Sequence, residues 1–417
     1  MPPNPSLATE LRALPRAFWV LFAGIFINRF GTFVYPFLTI LLHRRGFSYA
    51  AIGLAVGCFG LGNALASFAG GWFADRFGRR NSIVLGAFTN ATFIFMLYWA
   101  HSLPLIMLLV TLAGFAGGFF HPASGALVAD LVPARLQLRA YSALRLAGNA
   151  GFAFGTATGG FLVSRSTFWL FAGDALTTAC YGALALFLLP HGLRHTSEQA
   201  RWRDALLRLR RDGQFWALGF AQFCAALVFN QFASSYSLEV IGRGLALNLF
   251  GFHLAAEQIF GVLIGWNGVM IVLCELPLTR VTQRFPPRLV MCLGYLLIGG
   301  GFALNAARAG LGLLFLGMTL FTLGEMLAIP MSSVWIARIA PPSMRGRYIG
   351  ALATTWAVGN VLGPQIGLQI YGAYPLLLWM SCGGLGLAAA LTLWRFGNSG
   401  HSEPKGSPEP AAASALN

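Results

Sequence analysis

Apolar stretches of membrane-spanning length recur along this chain, separated by polar connections that are mostly short. A helix that crosses a bilayer needs roughly 20 such residues. The pattern predicts twelve segments, at about 17–42, 48–74, 80–100, 103–131, 138–163, 167–189, 214–240, 256–281, 288–307, 310–337, 347–371 and 374–395. One connection is long, 190–213. The tail, 396–417, is rich in Ser, Pro, Ala and Gly and is expected to be disordered. The chain therefore reads as an all-α polytopic membrane protein with twelve transmembrane helices.

Composition removes the alternatives. A length of 417 residues could make two or three soluble domains, but charged residues are only 10% and hydrophobic ones 57%. Soluble domains carry about 25% charged residues. The net charge of +15 is spread between the apolar segments and not gathered on one face, so nucleic acid is not an expected partner; the lipid bilayer is. Of the 28 Lys and Arg, 21 fall in loops and ends on the side of the N-terminus and 5 in loops on the other side. Cytoplasmic loops attract Lys and Arg, so both termini are expected in the cytoplasm and the protein in a plasma membrane of the bacterial inner type. The six cysteines include no CxxC and mostly sit in apolar runs, as small hydrophobes rather than metal ligands. No metal site is expected.

The two halves repeat. At an offset of 208, Arg76-Phe77 aligns with Arg284-Phe285, Pro122 with Pro330, Arg139 with Arg347, Gly155 with Gly363 and Gly159 with Gly367. The first segments align at a different offset, Asn28-Arg29-Phe30 against Asn230-Gln231-Phe232. Six helices is an even number, so the second half enters the membrane in the same sense as the first. A parallel 6+6 repeat with pseudo-two-fold symmetry is an architecture of secondary transporters, with the substrate site near the midplane between halves. The expected units are 17–189, a linker over 190–213 and 214–395. The linker reads either as a charged connection or as an amphipathic helix on the anionic inner leaflet.

Between the second and third segments stands Gly71-Trp-Phe-Ala-Asp75-Arg76-Phe-Gly78-Arg79-Arg80. It resembles the major facilitator superfamily loop GxxxDRxGRR, and the 6+6 plan extends the resemblance over about 17–395. The fifth segment, with Gly148, Gly151, Gly155, Gly159 and Gly160, is similar to the glycine-rich motif of the family's drug:proton antiporter branch, although Thr156 stands where a proline is expected. The resemblance implies that Asp75 and its arginines form a cytoplasmic latch, with Asp130 a partner for Arg76 or Arg80 and Arg139 nearby. Gly78 suits a turn at positive φ. The mate loop keeps arginines but has Gln283 for the acid and Pro286 for the glycine, so the latch is expected to be asymmetric. The glycine face of the fifth helix permits close packing and is expected to slide against the eighth.

Ionisable groups deep in a membrane are costly and usually functional. Arg29 and Glu325 lie about halfway along their segments, Arg145 two turns into the fifth, Glu275 in the inner third of the eighth. Asp174 reads as an interfacial residue or a cavity group, and His121 as a relay or a hydrogen-bonded helix histidine. Glu275 is expected to pair locally near Arg280. Glu325 leaves three readings open: proton carrier, structural partner of Arg29, or contact for a cationic substrate. Asn28, Asn230 and Gln231 are expected to face the cavity among aromatic residues. The fourth segment has Ala113 where many proton-coupled exporters of the family carry an arginine.

The expected function is therefore secondary active transport by alternating access, most simply proton-coupled export of a small hydrophobic or amphipathic solute. A proton-driven importer of a small metabolite is the alternative, and a membrane receptor or enzyme a distant one. No HExxH, GxSxG or Walker loop occurs, so no enzymatic activity and no cofactor are expected, the proton gradient supplying the energy. The partners expected are the solute and the bilayer, with the protein a monomer.

Overall fold

The computed structural model describes residues 13–190, 209–249, 252–340 and 345–396. Most of the linker and all of the tail beyond Phe396 lie outside the described residues, as do the side chains of Asp75 and His121. Helix dominates. The first half comprises α1 (Arg16–Phe30), α2 (Val34–Arg44), α3 (Tyr49–Phe77), α4 (Arg79–Leu97), α5 (Leu103–Leu131), α6 (Ala134–Arg165) and α7 (Thr167–Leu188). The second comprises α8 (Gly213–Phe229), α9 (Ser235–Gly242), α10 (Ala256–Thr282), α11 (Pro287–Ala303), α12 (Leu311–Ile339), α13 (Arg345–Ala373) and α14 (Pro375–Phe396). These fall into the twelve expected stretches. Among the described residues, eight are long and apolar enough to cross a membrane. A two-stranded antiparallel hairpin, β1 (Leu247–Leu249) with β2 (Phe252–Leu254), departs from the purely helical expectation.

The first and seventh segments, expected as single helices, are each broken near the middle. α1 stops at Gly31, where an added methyl would run into Thr177. Thr32 Oγ1 then donates to Asn28 O at 3.1 Å. The free N–H groups at the start of α2 are taken by Asp174, whose Oδ2 accepts from Phe33 N at 3.0 Å and Val34 N at 2.9 Å. Asp174 is buried, so it is a helix cap and not an interfacial residue facing water. The second break is satisfied by its own side chains: Ser234 Oγ donates to Asn230 O at 2.6 Å, and Ser235 Oγ to Gln231 Oε1 at 2.9 Å. Interrupted backbone inside a membrane persists only where such partners exist.

Two seams join the halves. Along α3 and α13, methyls added at Gly53, Gly57 and Gly60 would meet the carbonyls of Pro364, Val361 and Asn360 at 2.9, 2.7 and 2.6 Å. Along α6 and α10, Gly261 lies against Thr156 O and Gly265 against Ala153 O. Of the five glycines expected on this helix, only Gly160 makes the second seam, against Glu257 O and Gly261 of α10. Gly148, Gly151, Gly155 and Gly159 pack on α1 and α2 of their own half, against Arg29, Phe26, Phe30 and Phe37. The surface turned to α10 is one or two residues further on, at Asn149, Ala153, Thr156 and Gly160; a step of one residue rotates a helix face by about 100°.

Candidate transport chamber

The two broken helices meet beside a chamber between the halves. One cavity of about 550 Å³ is lined by Arg29, Tyr35, Arg145, Phe232, Asn267 and Glu325, among others. A second, about 540 Å³, shares Arg29, Tyr35, Phe229 and Asn230 with it and adds Asn28 and Asp174. A third, about 450 Å³, shares Asn63, Trp356 and Asn360 with the second and continues toward the side that carries the chain ends, past Gln222 and Ile349. At the other end, hereafter the far side, the halves are in contact: Thr39 Oγ1 donates to Ala233 O at 3.1 Å, and the rings of Tyr49 and Tyr371 meet edge to face at 5.9 Å.

The expected cavity residues divide. Arg29, Asn230, Glu325 and Arg145 come together at the chamber wall. Asn28 faces the second cavity, and its Nδ2 donates to Thr178 Oγ1 at 3.1 Å. Asn230 Nδ2 donates to Asn360 Oδ1 at 2.9 Å, tying the broken α8 to α13. Gln231 is buried in packing, its Nε2 donating to Leu227 O at 2.9 Å and Gly363 O at 3.0 Å, so it staples the break to α13.

The carboxylates are held differently from the pairs considered on sequence grounds. Glu325 Oε2 accepts from Asn267 Nδ2 at 3.1 Å, and Asn267 Nδ2 also donates to Thr322 Oγ1 at 3.0 Å. Glu275 does not pair within its own helix; it forms an ion pair with Arg145 of α6, across the seam between the halves. Asn267 was missed from the sequence. An amide in the middle of the eighth apolar run was the available signal, because a polar group at that depth needs a partner.

On the side of the chain ends, Gly78 adopts φ 92° and ψ 152° between α3 and α4, a region open to glycine alone. Arg79 Nε stands 3.7 Å from Asp130 Oδ2, which makes Arg79 a partner of Asp130 that the sequence reading did not name. Arg76 is exposed, while Arg80 and Arg139 are half-buried.

This geometry is that of a two-domain carrier, and the sequence profile described as Major Facilitator Superfamily matches residues 21–266 and 248–416. The chain belongs to that superfamily. Curated relatives include a "Na(+), Li(+), K(+)/H(+) antiporter" of Planococcus maritimus, 27% identical, with 90% of this chain and 94% of that protein covered. The "Multidrug resistance protein MdtH" of Yersinia pestis is 26% identical over 94% and 96%. A solved POT family transporter in complex with 5-aminolevulinic acid superposes with a TM-score of 0.78 at 15% identity, covering 92% of this chain and 96% of that one. The nucleoside transporter NupG gives 0.76 at 15% identity, covering 92% and 100%. These two share the fold. The superfamily member described here is thus a membrane transporter and not an enzyme, with its chamber at the junction of the two halves.

Proposed function

We propose that this chain is a secondary active transporter that exports a small hydrophobic or amphipathic solute in exchange for protons, by alternating access. The observation that carries the reading is Glu325: it stands in the wall of the chamber between the halves, held by Asn267 through one oxygen only. A carboxyl group in such a place can take up and release a proton as access alternates. The rest of the wall is largely aromatic and aliphatic, with Tyr35, Phe59, Phe152, Phe229 and Phe232. Its polar groups among the described residues are two arginines, Arg29 and Arg145, three amides, Asn149, Asn230 and Asn267, and the hydroxyls of Thr32, Tyr35 and Ser124, a mixture with the apolar surface that supports an amphipathic solute over a phosphate or a sugar. Two relatives are named for antiport and for multidrug resistance, which agrees in kind. The arginine bias supports a cytoplasmic position for the chain ends, and with them for the end of the chamber toward which the third cavity runs. Asp75 with the glycine turn at Gly78 serves as the latch that closes that end when the far side opens.

The test is transport in inverted vesicles with and without a pH gradient, over a panel of amphipathic dyes, small metabolites and the ions Na⁺, K⁺ and Li⁺. Glu325→Gln is expected to abolish the effect of the gradient while facilitated exchange of the solute persists. A Glu325→Gln protein that still responds to the gradient sinks the assignment. Solute that moves in the same direction as the protons selects the importer instead.

A further inference from the structure

The second half holds one carboxylate in the chamber wall, Glu325, and a second, Glu275, that meets a guanidinium of the first half, Arg145. Asn267, Ile271 and Glu275 follow at four-residue intervals on one face of α10. Asn267 holds Glu325 of α12, and two turns nearer the chain ends Glu275 holds Arg145 of α6. The two points are about 12 Å apart along the helix. The partners differ in freedom. The Glu275 side chain is 10% exposed, that of Arg145 48%. Arg145 lines the same chamber as Glu325. One turn along α6 stands Gly148, and a methyl placed there would find no atom nearer than 3.9 Å. That distance is ordinary van der Waals contact with Arg29 and Ile25 of α1, and Gly148 lines the same cavity as Arg145 and Glu325, so the route from one to the other runs along the chamber wall. Arg29 of α1, which packs on Gly148 and Gly151 of α6, and Tyr35 of α2 line the same chamber.

We propose that Arg145 is a tethered counter-ion that passes from Glu275 to Glu325 during the cycle. With Arg145 on Glu275, Glu325 is faced by an amide and holds its proton, because an ion without a cation beside it is costly at that depth. When the O–H bond of Glu325 breaks, the proton leaves to water in the chamber. The carboxylate that remains takes N–H donors from Arg145, and Glu275 is left to the water at the chamber mouth. The ion pair across the α6–α10 seam is broken by the same event, so proton release and the rearrangement of the halves become one step. Arg145 acts through Glu325 and is a positioning residue. This inference rests on the proton-exchange reading.

The experiment needs no known solute. Spin labels at Leu146→Cys on α6 and Leu276→Cys on α10, both exposed, report the separation of the halves in the full-length protein in liposomes. The background is one in which the native exposed cysteines are replaced. The native charge set is expected to shift its distance distribution between acidic and alkaline buffer. Arg145→Gln is expected to reduce that shift about fivefold and Arg145→Lys to restore most of it. Glu275→Gln, which frees the arginine without removing it, is expected to keep the pH response and to bias the population at every pH. A full response in Arg145→Gln overturns the assignment of Arg145 while leaving proton exchange standing. A native protein that ignores pH overturns both. Should Arg145→Gln fail to fold, Glu275→Gln decides: distances identical to those of the native protein at every pH overturn the proposal.

Discussion

Arg44, the last residue of α2, reaches across to the second half and pairs with Glu257 in the first turn of α10. Its Nη1 also donates to Val163 O of α6 at 3.2 Å, and the adjacent Gln258 Nε2 donates to Ser164 Oγ at 3.3 Å. The acid stands at a helix N-terminus, where negative charge is favoured. These contacts close the far side. Because the Arg44 side chain is 44% exposed, the pair contributes about 1 kcal/mol at most. Arg44→Gln is therefore expected to raise far-side opening about fivefold, read as faster labelling of a cysteine placed at Thr39. The exchanged pair, Arg44→Glu with Glu257→Arg, should recover part of the closure. Labelling at an unchanged rate in both variants would show that the apolar contacts alone keep this side shut.

Asp174 supplies a second prediction. Its two bonds to the backbone of the broken first segment cross 141 and 140 residues of sequence. Asp174→Ala leaves two buried N–H groups without an acceptor, at a cost of about 2–4 kcal/mol. Asp174→Asn keeps one acceptor oxygen and should lose about 1 kcal/mol. Thermal unfolding in detergent, followed by intrinsic fluorescence, measures both. Equal midpoints for the alanine and asparagine variants would mean that the cap is not what holds the break.

Those bonds also explain which features could be read from the sequence. The twelve segments and the 6+6 repeat were legible because the bilayer imposes a length on each apolar run and duplication left the same loop residues in both halves. The breaks were not legible. Gly31 and Thr32 are consistent with a continuous transmembrane helix until Asp174 and Thr177, far along the chain, are placed beside them. Arg145 and Glu275 were each recognised as costly intramembrane charges, but nothing local says that they meet across the seam. The glycine face of α6 was visible as a spacing, and a spacing does not name the neighbour. Glu239 and Arg243 were the missed opportunity: an acid four residues before an arginine at the end of the seventh segment is a helix ion pair in plain sight.

Glycine substitutions separate close approach from empty space. A methyl at Gly155 would run into the carbonyl of Phe30, backbone that cannot turn aside. Gly155→Ala is expected to cost about 1–3 kcal/mol through displacement of α1 from α6. Gly384, inside α14, has nothing within 4 Å of the same methyl. Gly384→Ala should be neutral or stabilise by up to about 1 kcal/mol, since alanine is the better helix former. Unfolding midpoints that move equally in the two variants would contradict the packing assigned to α6.

The far side of the second half contains a cluster whose weight can be measured. Glu239 of α9 has no exposed side-chain surface. It accepts from Arg243 Nε at 2.9 Å and from Trp379 Nε1 at 3.1 Å, and Arg308 Nε stands 3.8 Å away. Arg243 passes the connection on, donating to Ala309 O at 2.7 Å and Asn305 O at 3.1 Å. One carboxylate thus joins α9, the turn before α12 and α14. Removal of one partner from a buried ion pair leaves the other charge uncompensated, a loss of about 3–5 kcal/mol, so Glu239→Ala is expected to lower the unfolding midpoint most of any variant named here. Arg308 provides the control. Its side chain is 62% exposed and its contact with Glu239 is long, while its backbone sits at φ 48°, where a residue with a Cβ is strained. Arg308→Gly should trade a weak charge contact for relief of that strain and change stability by less than about 1 kcal/mol. A large loss in Arg308→Gly with a small one in Glu239→Ala would overturn the weight assigned to the buried carboxylate.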